Sequence, residues 1–373
     1  MQLITARYLA TQPDRDPDVL AENIAREQSL ELTRALIPDP VAERFLGRVL
    51  NVIRLDDERW QLDIGYPMAL ASKQIGQLLQ LVYGNVSFYP RIRLTGLTLP
   101  ESLFDRLPGP IGGIGAIRSA IDVPERALLM TVLKPRGSAV DSLAALALAF
   151  ARGGGDIVKD DQNLVDAEPV DFALRVTACA RAMERAADET GRRCLYLPHV
   201  AGSGAHLQCQ LDIVAGLGLK GVVLCPWIMG LESAAHAARE RGLMWLAHPA
   251  MAGSFTEPND RGIATPVLLG TLVRLAGADI SIFPGHGGRI QTGHGDDVGA
   301  TCKALTGSMG PLRPTLPCFG GGKTLEQASR AAERYGNDVA VLVGGDLIAR
   351  GPAIRRDVET TIAAMHNSGT GQA

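Results

Sequence analysis

Eight short apolar segments, separated by polar or Gly/Pro-rich turns and by stretches of helical periodicity, predict that this 373-residue chain ends in a closed (β/α)8 barrel. Strands that are buried on both faces read as continuous apolar runs, and roughly 240 residues is the expected size of such a barrel. The predicted barrel strands are 128–133, 155–159, 194–199, 220–225, 242–247, 279–283, 314–318 and 339–343. An open, doubly wound parallel sheet is the alternative fold.

Helical periodicity between the strands predicts helices that are long enough to cross back over the sheet. These helices are 141–152, 173–189, 262–276, 325–335 and 355–366. We therefore predict an α/β fold in which residues 126–373 form a TIM-barrel catalytic domain.

Residues 1–125 lack the alternation of strand and helix. Strand-like and helix-like segments are mixed there, which predicts a small N-terminal α+β (ferredoxin-like) domain. The strand-like segments are 3–8, 47–54, 60–65 and 91–98, and the helix-like segments are 17–27 and 72–81. Residues 107–115 are rich in Gly and Pro, so we expect them to connect the two domains.

Composition and charge limit the partners of the chain. The net charge is −3, with 46% hydrophobic and 21% charged residues, and there is no long basic run. Phosphate backbones and membrane surfaces demand clustered positive charge, so we expect a small-molecule substrate, no nucleic acid and no membrane. The six cysteines form no CxxC pair. Together with the absence of a secretion signal, this favours a reducing cytoplasm and no zinc site.

Lysine is rare in this chain, and its placement predicts the active site. Only six of the 37 basic residues are lysines. Two of them, Lys134 and Lys159, lie in the distinctive sequence segments Thr131-Val132-Leu133-Lys134-Pro135-Arg136 and Gly153-Gly154-Gly155-Asp156-Ile157-Val158-Lys159-Asp160-Asp161-Gln162-Asn163. Among cationic side chains, only the lysine amine readily loses its proton near neutrality, forms a Schiff base or takes up CO2. We expect these two lysines to act in catalysis.

Reacting groups of a (β/α)8 barrel lie just past the carboxyl ends of its strands. Polar side chains occupy these positions in several of the predicted units, and we expect them to converge on one opening. They are Lys134, Lys159 to Gln162, His199, His248, His286 and Arg289.

The Lys159-Asp160-Asp161 phrase suits a hard divalent cation such as Mg²⁺. A bare ammonium is no ligand, so Lys159 would have to be carbamylated and to share the metal with Asp161. An ion pair at the strand end, without metal, is the alternative. Lys134 is predicted to transfer protons, with a phosphate anchor or a structural cation as its alternatives.

The glycines Gly320, Gly321 and Gly322, together with Gly344 and Gly345, predict a phosphate cradle built from backbone N–H groups. Ordinary turn glycines are the alternative. His248 is predicted to be a proton carrier or a hydrogen-bond partner of the substrate, against a structural imidazole. His286 and Arg289 are weaker candidates for substrate binding.

Taken together, the lysine phrases, the paired glycines and Gly84-Asn85-Val86 resemble the large chain of ribulose-bisphosphate carboxylase over most of this sequence. The departures from true carboxylases make it look like a RuBisCO-like protein. The resemblance implies that Lys159 is carbamylated by CO2 and binds Mg²⁺ with Asp161, and that Lys134 handles protons. Gln162 stands in place of the family's glutamate as the third ligand.

Other departures concern the substrate. Pro249 replaces the arginine that would grip a second phosphate, and the family's phosphate-binding serine appears as Gly320. Gly322, Gly344 and Gly345 keep the first phosphate site, so the resemblance implies a substrate with one phosphate.

Asn85 and Glu27 match residues that the first domain inserts into a partner subunit's site in this family. The resemblance therefore implies a homodimer whose active site is shared between subunits.

The leading hypothesis is a Mg²⁺-dependent enolisation or isomerisation of a phosphorylated ketose, for example 5-methylthioribulose 1-phosphate, through an enediolate and without RuBisCO carboxylase activity. One alternative within the resemblance is a decarboxylase, transcarboxylase or hydrolase of a 3-oxo sugar-acid phosphate of the 3-oxo-isoapionate 4-phosphate type. Two others are a metal-independent Schiff-base aldolase and a non-catalytic protein that binds a sugar phosphate.

Overall fold

The computed structural model describes residues 2–71, 73–290 and 297–369. The strands within these ranges are β1 (Leu3–Thr11), β2 (Arg48–Arg54), β3 (Arg59–Pro67), β4 (Ile92–Thr98), β5 (Leu128–Leu133), β6 (Ile157–Asp160), β7 (Leu195–Leu197), β8 (Gly221–Leu224), β9 (Met244–Ala247), β10 (Gly262–Ile263), β11 (Ile280–Pro284), β12 (Leu316–Gly320) and β13 (Ala340–Val343).

The α-helices in the same ranges are α1 (Pro17–Ser29), α2 (Asp39–Phe45), α3 (Ile75–Tyr83), α4 (Glu101–Phe104), α5 (Gly113–Ile121), α6 (Val140–Arg152), α7 (Pro169–Thr190), α8 (Gly204–Gly216), α9 (Pro226–Met229), α10 (Leu231–Arg239), α11 (Gly253–Thr256), α12 (Val273–Ala276), α13 (Asp297–Thr306), α14 (Leu325–Ser329), α15 (Ala331–Tyr335), α16 (Gly345–Ile348) and α17 (Ile354–Gly369). A π-helix spans Pro266–Leu272 directly before α12.

Eight parallel strands form the barrel, in the order β7-β6-β5-β13-β12-β11-β9-β8. A parallel bridge between His199 and Val223 joins the two ends of this order, just past β7 and within β8. The predicted (β/α)8 barrel is therefore confirmed, and the open doubly wound sheet is wrong. Each of the eight predicted strand segments contains or overlaps an observed barrel strand.

Apolar side chains fill the interior of the barrel, which explains why its strands could be read from the sequence. Met130, Ile157, Leu246 and Ile282 belong to this core and are each at most 4% exposed. A packed interior of this kind directs the chemistry to the strand ends rather than to a central pore.

The first helix after the Gly/Pro-rich segment is capped by a buried carboxylate. Asp279 accepts hydrogen bonds from the backbone N–H groups of Gly112 at 2.8 Å, Gly113 at 2.7 Å and Trp245 at 2.9 Å. Burial raises the pKa of Asp279, and these three donors oppose the shift because they favour the carboxylate. The segment predicted as a connection thus ends in helix α5 rather than in a loop.

Two predicted helices differ from the observed ones. The prediction of a helix over 262–276 is wrong at its start, because Gly262 and Ile263 pair with Arg93 and Leu94 of β4 as strand β10. A tertiary partner decided this conformation, which local periodicity could not reveal. The predicted helix 325–335 is divided into α14 and α15 at Arg330, whose φ and ψ of −105° and 2° are not helical.

The other sheet has the order β10-β4-β1-β3-β2. β1 pairs antiparallel with β3 and β4, and β2 pairs antiparallel with β3. Helix α1 packs against this sheet. Its first turn is capped by the Asp16 side chain, which accepts from the backbone N–H of Asp18 at 2.9 Å and of Val19 at 3.3 Å. The predicted mixture of strands and helices is present in this part of the chain.

The chain packs as two compact units. The sheet unit comprises Met1–Gly109, Met251–Ala276 and Gly293–Leu312, and the barrel unit comprises Pro110–Ala250, Gly277–Thr292 and Arg313–Ala373. The predicted domains 1–125 and 126–373 stay a prediction, because a compact packing unit is not by itself a domain that folds alone. Residue 72, the first of the predicted helix 72–81, lies outside the described residues, as do residue 1, 291–296 and 370–373.

Among the described residues, no helix combines the length and the apolar composition that crossing a bilayer would require.

Candidate active site

Lys159 lies at the carboxyl end of β6 and is 1% exposed. Its Nζ donates a hydrogen bond to the backbone oxygen of Asp160 at 2.6 Å. Burial lowers the pKa of Lys159, while Asp161 and Asp160 oppose that shift because their negative charges favour the ammonium. A buried lysine with a lowered pKa is a functional candidate, since more of it exists as the free amine.

The Asp160 side chain points away from Lys159, and its carboxylate is bonded to neighbouring residues of the barrel unit. Its carboxylate forms an ion pair with Arg175 and accepts hydrogen bonds from the Tyr196 hydroxyl at 2.9 Å and the His199 backbone N–H at 3.0 Å. Arg175 also pairs with Asp166 at 2.7 Å. The alternative of a strand-end ion pair therefore applies to Asp160, whose partner is Arg175 rather than Lys159.

Asp161 and Gln162 follow β6 in a tight turn and are partly exposed. The Asp161 carboxylate accepts from the backbone N–H of Asn163 at 2.9 Å, and the Asp161 N–H donates to the Leu133 oxygen at 3.1 Å. Side chains alternate along a strand, so Lys159 and Asp161 lie on the same side while Asp160 lies on the other. The Asp161 carboxylate is thus close enough to the buried Lys159 amine to act on its pKa.

These residues fit a divalent cation only if the Lys159 amine carries a carbamate. In residues 2–71, 73–290 and 297–369, no group of three His, Cys, Asp or Glu side chains is arranged to hold a metal ion. The charge of Asp161 acts on Lys159, and Gln162 is the next residue of the turn; the Asp161 carboxylate and the Gln162 amide carry hard oxygen atoms of the kind that Mg²⁺ prefers. A carbamate on the Lys159 amine would add the missing negatively charged oxygen donor, and burial of that amine favours the neutral form that reacts with CO2.

His248 follows β9 and is a neutral imidazole. Its Nδ1 accepts a hydrogen bond from the backbone N–H of Ala250 at 3.2 Å, which leaves the proton on Nε2. Burial lowers the pKa of His248 well below 6.5, and Lys159 and His199 lower it further whenever they carry a proton. His248 can therefore donate a hydrogen bond through Nε2 at neutral pH.

His199 and Cys225 complete the group around Lys159. His199 is 4% exposed, and its Nε2 lies 3.7 Å from the Cys225 Sγ. Burial, followed by the charge of Lys159, lowers the pKa of His199, and burial raises the pKa of Cys225 to about 11. Neither group is charged at neutral pH, so Cys225 is a packed thiol.

Lys134 follows β5, the strand that pairs with both β6 and β13. A Cβ atom at Gly344 would lie 3.0 Å from the Lys134 Nζ and 2.8 Å from a Val132 methyl group. Gly344 thus leaves the space that the Lys134 amine occupies. The structure brings Lys134 to the same end of the barrel as Lys159 and His248.

The predicted phosphate glycines divide into two kinds. Gly321 and Gly322 have φ values of +86° and +92°, and a Cβ there would lie 2.9 Å from the Ile290 oxygen and the Arg289 nitrogen, respectively. Packing against the 288–290 segment explains why these positions are glycine. A Cβ at Gly345 would meet no atom within 4 Å, so this glycine faces open space. The phosphate role of these glycines stays a prediction.

His286 and Arg289 lie on the segment after β11, and Lys323 reaches that segment from the end of β12. The Lys323 Nζ donates to the backbone oxygens of Gly285 at 2.9 Å and His286 at 2.8 Å. Sequence reasoning missed Lys323, although the rarity of lysine was a signal that could have flagged it.

Glu27 and Asn85 belong to the sheet unit and contact each other. The Asn85 side-chain amide donates to the Glu27 carboxylate at 2.9 Å. Gln28 supports the arrangement, because its amide oxygen accepts from the backbone N–H of Val86 at 2.8 Å. The structure therefore brings together the two residues that the resemblance selects from the N-terminal part of the chain, and their role stays a prediction.

A closed parallel barrel that gathers buried lysine and histidine side chains at its carboxyl end defines a (β/α)8 enzyme with an acid–base site. The model of the family described as ribulose bisphosphate carboxylase large chain, catalytic domain, matches residues 113–353. The chain belongs to this family, and the predicted resemblance to RuBisCO-like proteins is confirmed.

Three relatives illustrate the family. The ribulose bisphosphate carboxylase-like protein 1 of Rhodopseudomonas palustris is 37% identical and covers 94% of both chains. The 5-methylthioribulose-1-phosphate isomerase of Rhodospirillum rubrum is 32% identical over 97% of this chain and 96% of that protein. The 2,3-diketo-5-methylthiopentyl-1-phosphate enolase of Exiguobacterium sibiricum is 31% identical over 92% of this chain and 87% of that protein.

A solved structure of a Rubisco-like protein is also similar to this chain. The crystal structure of a Rubisco-like protein from Rhodopseudomonas palustris has a TM-score of 0.88 and 31% identity, and covers 100% of this chain and 99% of that one. At the level of class, the chain is an isomerase- or enolase-type enzyme of the RuBisCO superfamily.

Proposed function

We propose that this protein removes a proton next to the ketone of a phosphorylated ketose and returns it at the same or a neighbouring carbon. The reaction is an enolisation or isomerisation, and 5-methylthioribulose 1-phosphate is the representative substrate. The observation that carries the proposal is the fully buried Lys159 amine beside Asp161 at the mouth of the barrel. The isomerase and enolase relatives support the reaction type.

Lys159, as a carbamate, and the oxygens of Asp161 and Gln162 are the proposed holders of Mg²⁺. When bound, the cation supplies positive charge that stabilises the negative oxygen of an enediolate. The Gln162 amide is neutral, so this ligand set carries one negative charge less than the family's glutamate would give. We therefore expect weaker Mg²⁺ affinity than a glutamate would provide.

Lys134 is the proposed proton carrier. Its strand β5 pairs with β6, and neighbouring strands lie roughly 4.8 Å apart, so a substrate held at the end of β6 lies within reach of the Lys134 amine. His248 is proposed to orient the substrate by donating its Nε2–H to an oxygen atom. A neutral imidazole suits this task, because it donates without delivering its proton.

Gly344 and Gly345, with Gly321 and Gly322, are proposed to bind the substrate phosphate through backbone N–H groups. The open space beside Gly345 supports this assignment most directly. Pro249 and Gly320 stand where a second phosphate would need an arginine and a serine, so we propose one phosphate per substrate. His286 and Arg289 are proposed to contact the remainder of the molecule.

Glu27 and Asn85 are proposed to enter the active site of a partner subunit in a homodimer. Their mutual hydrogen bond supports a joint role, because it holds the Asn85 amide in one orientation.

Deuterium uptake from D2O, followed by NMR, tests the proposal. The substrates are 5-methylthioribulose 1-phosphate and a panel of phosphorylated ketoses and 3-oxo acid phosphates, each with Mg²⁺ and bicarbonate. We expect exchange next to the ketone in the wild type, none with Lys159→Ala, and full exchange with the exposed control Lys220→Ala. Equal exchange in both variants, or no exchange with any compound, contradicts the proposal.

A further inference from the structure

Lys323 is a buried lysine whose ammonium is bound by three consecutive backbone carbonyl groups. The residue is 3% exposed and follows β12, three positions after its last residue. Its Nζ donates to the oxygens of Gly285 at 2.9 Å and His286 at 2.8 Å, and also to the oxygen of Gly287. An ammonium has three N–H donors, and each meets one carbonyl.

The same segment is packed backbone to backbone against the glycines after β12. Gly288 has a φ of +93°, and a Cβ there would lie 2.7 Å from the Gly321 oxygen. The Ile290 N–H donates to that oxygen at 2.9 Å. Glycines on both sides permit this approach, so the two segments fit together without side chains between them.

The end of β12 is itself fixed to the rest of the barrel unit. Thr324 and Gln327 form a capping box at the start of α14. The backbone N–H of Leu325 donates to the Asp346 carboxylate at 3.0 Å, which connects α14 to the helix that begins at Gly345. Lys323 thus extends from a rigid base.

We propose that Lys323 is a positioning residue, which holds residues 285–290 in one conformation by taking the place of a bound cation among their carbonyl groups. This inference rests on the proposed function in one respect, since His286 and Arg289 on this segment are proposed to contact the substrate. Lys323 acts through them and touches no reacting atom.

The chemistry of the carbonyl cluster explains why lysine is needed here. Three carbonyl oxygens that converge on one point suit a compact ammonium, whereas a planar guanidinium spreads its donors over a fork and methionine has none. Burial lowers the pKa of Lys323 to about 8, because the ammonium loses its hydration, and the three carbonyl bonds take the place of water around it.

Hydrogen–deuterium exchange of backbone amides, measured without substrate, tests the inference independently of any activity. We compare wild type with Lys323→Met, and use the exposed Lys220→Met as the matched control. Peptides that cover 285–290 are expected to exchange at least about tenfold faster in Lys323→Met only, while the other barrel peptides keep their protection. In Lys323→Ala, methylammonium ions are expected to restore part of the protection, as a cation returns to the cluster.

Kinetics with a compound that shows deuterium exchange in the wild type give a second readout. Lys323→Met is expected to raise KM about tenfold with a smaller change in kcat, because a misplaced binding segment weakens ground state and transition state alike. If Lys323→Met does not fold, we measure hydrogen–deuterium exchange in Lys323→Arg instead. This variant keeps the positive charge but not the three converging donors. Unchanged exchange at 285–290 in a folded variant overturns the inference. Failure of the proposed function would instead abolish the kinetic readout and leave the exchange result intact.

Discussion

Lys159 and Asp160 are consecutive residues of β6 whose side chains serve different purposes. The Lys159 Nζ donates to the backbone oxygen of Asp160 at 2.6 Å, while the Asp160 carboxylate turns to Arg175 and to the Tyr196 hydroxyl at 2.9 Å. The Asp160 carboxylate therefore fixes the end of β6, and the Asp160 backbone oxygen orients the Lys159 amine. This division separates a stabilising carboxylate from the candidate ligand Asp161.

Replacing Asp160 by Asn is expected to destabilise the barrel. The Asp160 carboxylate is 0% exposed and the Arg175 side chain is 4% exposed, so the substitution removes the buried counter-charge of Arg175 and leaves only its pair with the partly exposed Asp166. We expect the free energy of unfolding, measured by urea denaturation, to fall by about 3 kcal/mol. Asp338→Asn is the control, because Asp338 is 61% exposed in its pair with Arg118 and should lose at most about 1 kcal/mol. Equal losses would contradict the structural role of Asp160.

Gly321→Ala is expected to disturb the contact between the segments that follow β11 and β12. The φ of +86° is unfavourable for alanine, and its Cβ would lie 2.9 Å from the Ile290 oxygen. The expected loss in the free energy of unfolding is about 1–3 kcal/mol. Gly115→Ala makes the same chemical change in helix α5, where no atom lies within 4 Å, and should be neutral or stabilising by about 0.5–1 kcal/mol.

His248 is expected to stay neutral as the pH falls below 6.5. In the unfolded chain the imidazole takes up a proton near pH 6.5, but in the folded protein burial keeps its pKa well below that value. The unfolded state then binds more protons, so the free energy of unfolding falls as the pH decreases below 6.5, by up to about 1.4 kcal/mol per pH unit. NMR titration of the imidazole in bicarbonate-free buffer measures the pKa directly, and a midpoint at or above 6.5 contradicts the assignment. His248→Asn should reduce the slope of stability against pH.

Mixed subunits test the shared active site. Asn85→Ala and Lys159→Ala are each expected to abolish exchange activity, because in the proposed homodimer each site takes one of these residues from each subunit. When the two variants are unfolded, mixed in equal amounts and refolded together, half of the dimers carry both changes in different subunits and one of their two sites is intact. About one quarter of the wild-type activity should return. No recovery, with mixed dimers demonstrated by mass spectrometry, would contradict a site built from two subunits.

The barrel could be predicted because burial on both faces imposes apolar composition on every strand, as at Leu128–Leu133. The helix predicted at 262–276 is too long because Gly262 and Ile263 take their conformation from β4, which is distant in sequence. Local patterns carry no information about such a partner.

The candidate site residues at the ends of the barrel strands could be predicted from the sequence. The contacts that depend on tertiary packing could not. Lys134, Lys159 and His248 each follow or end a barrel strand, as the fold requires. The separate task of Asp160 depends on Arg175 and Tyr196, which are brought there by packing. The contacts of Lys323 are made to backbone carbonyl groups of another segment. A sequence does not show which backbone carbonyl groups a side chain will reach.

We propose that Lys159 acts as a carbamate that completes a Mg²⁺ site. The most direct test is the ¹³C NMR spectrum of the protein in ¹³C-labelled bicarbonate, with and without Mg²⁺. We predict a lysine carbamate signal that Mg²⁺ strengthens, that is lost in Lys159→Ala and that persists in Lys220→Ala. No carbamate signal under conditions that support deuterium exchange, or a signal that survives in Lys159→Ala, would contradict the claim.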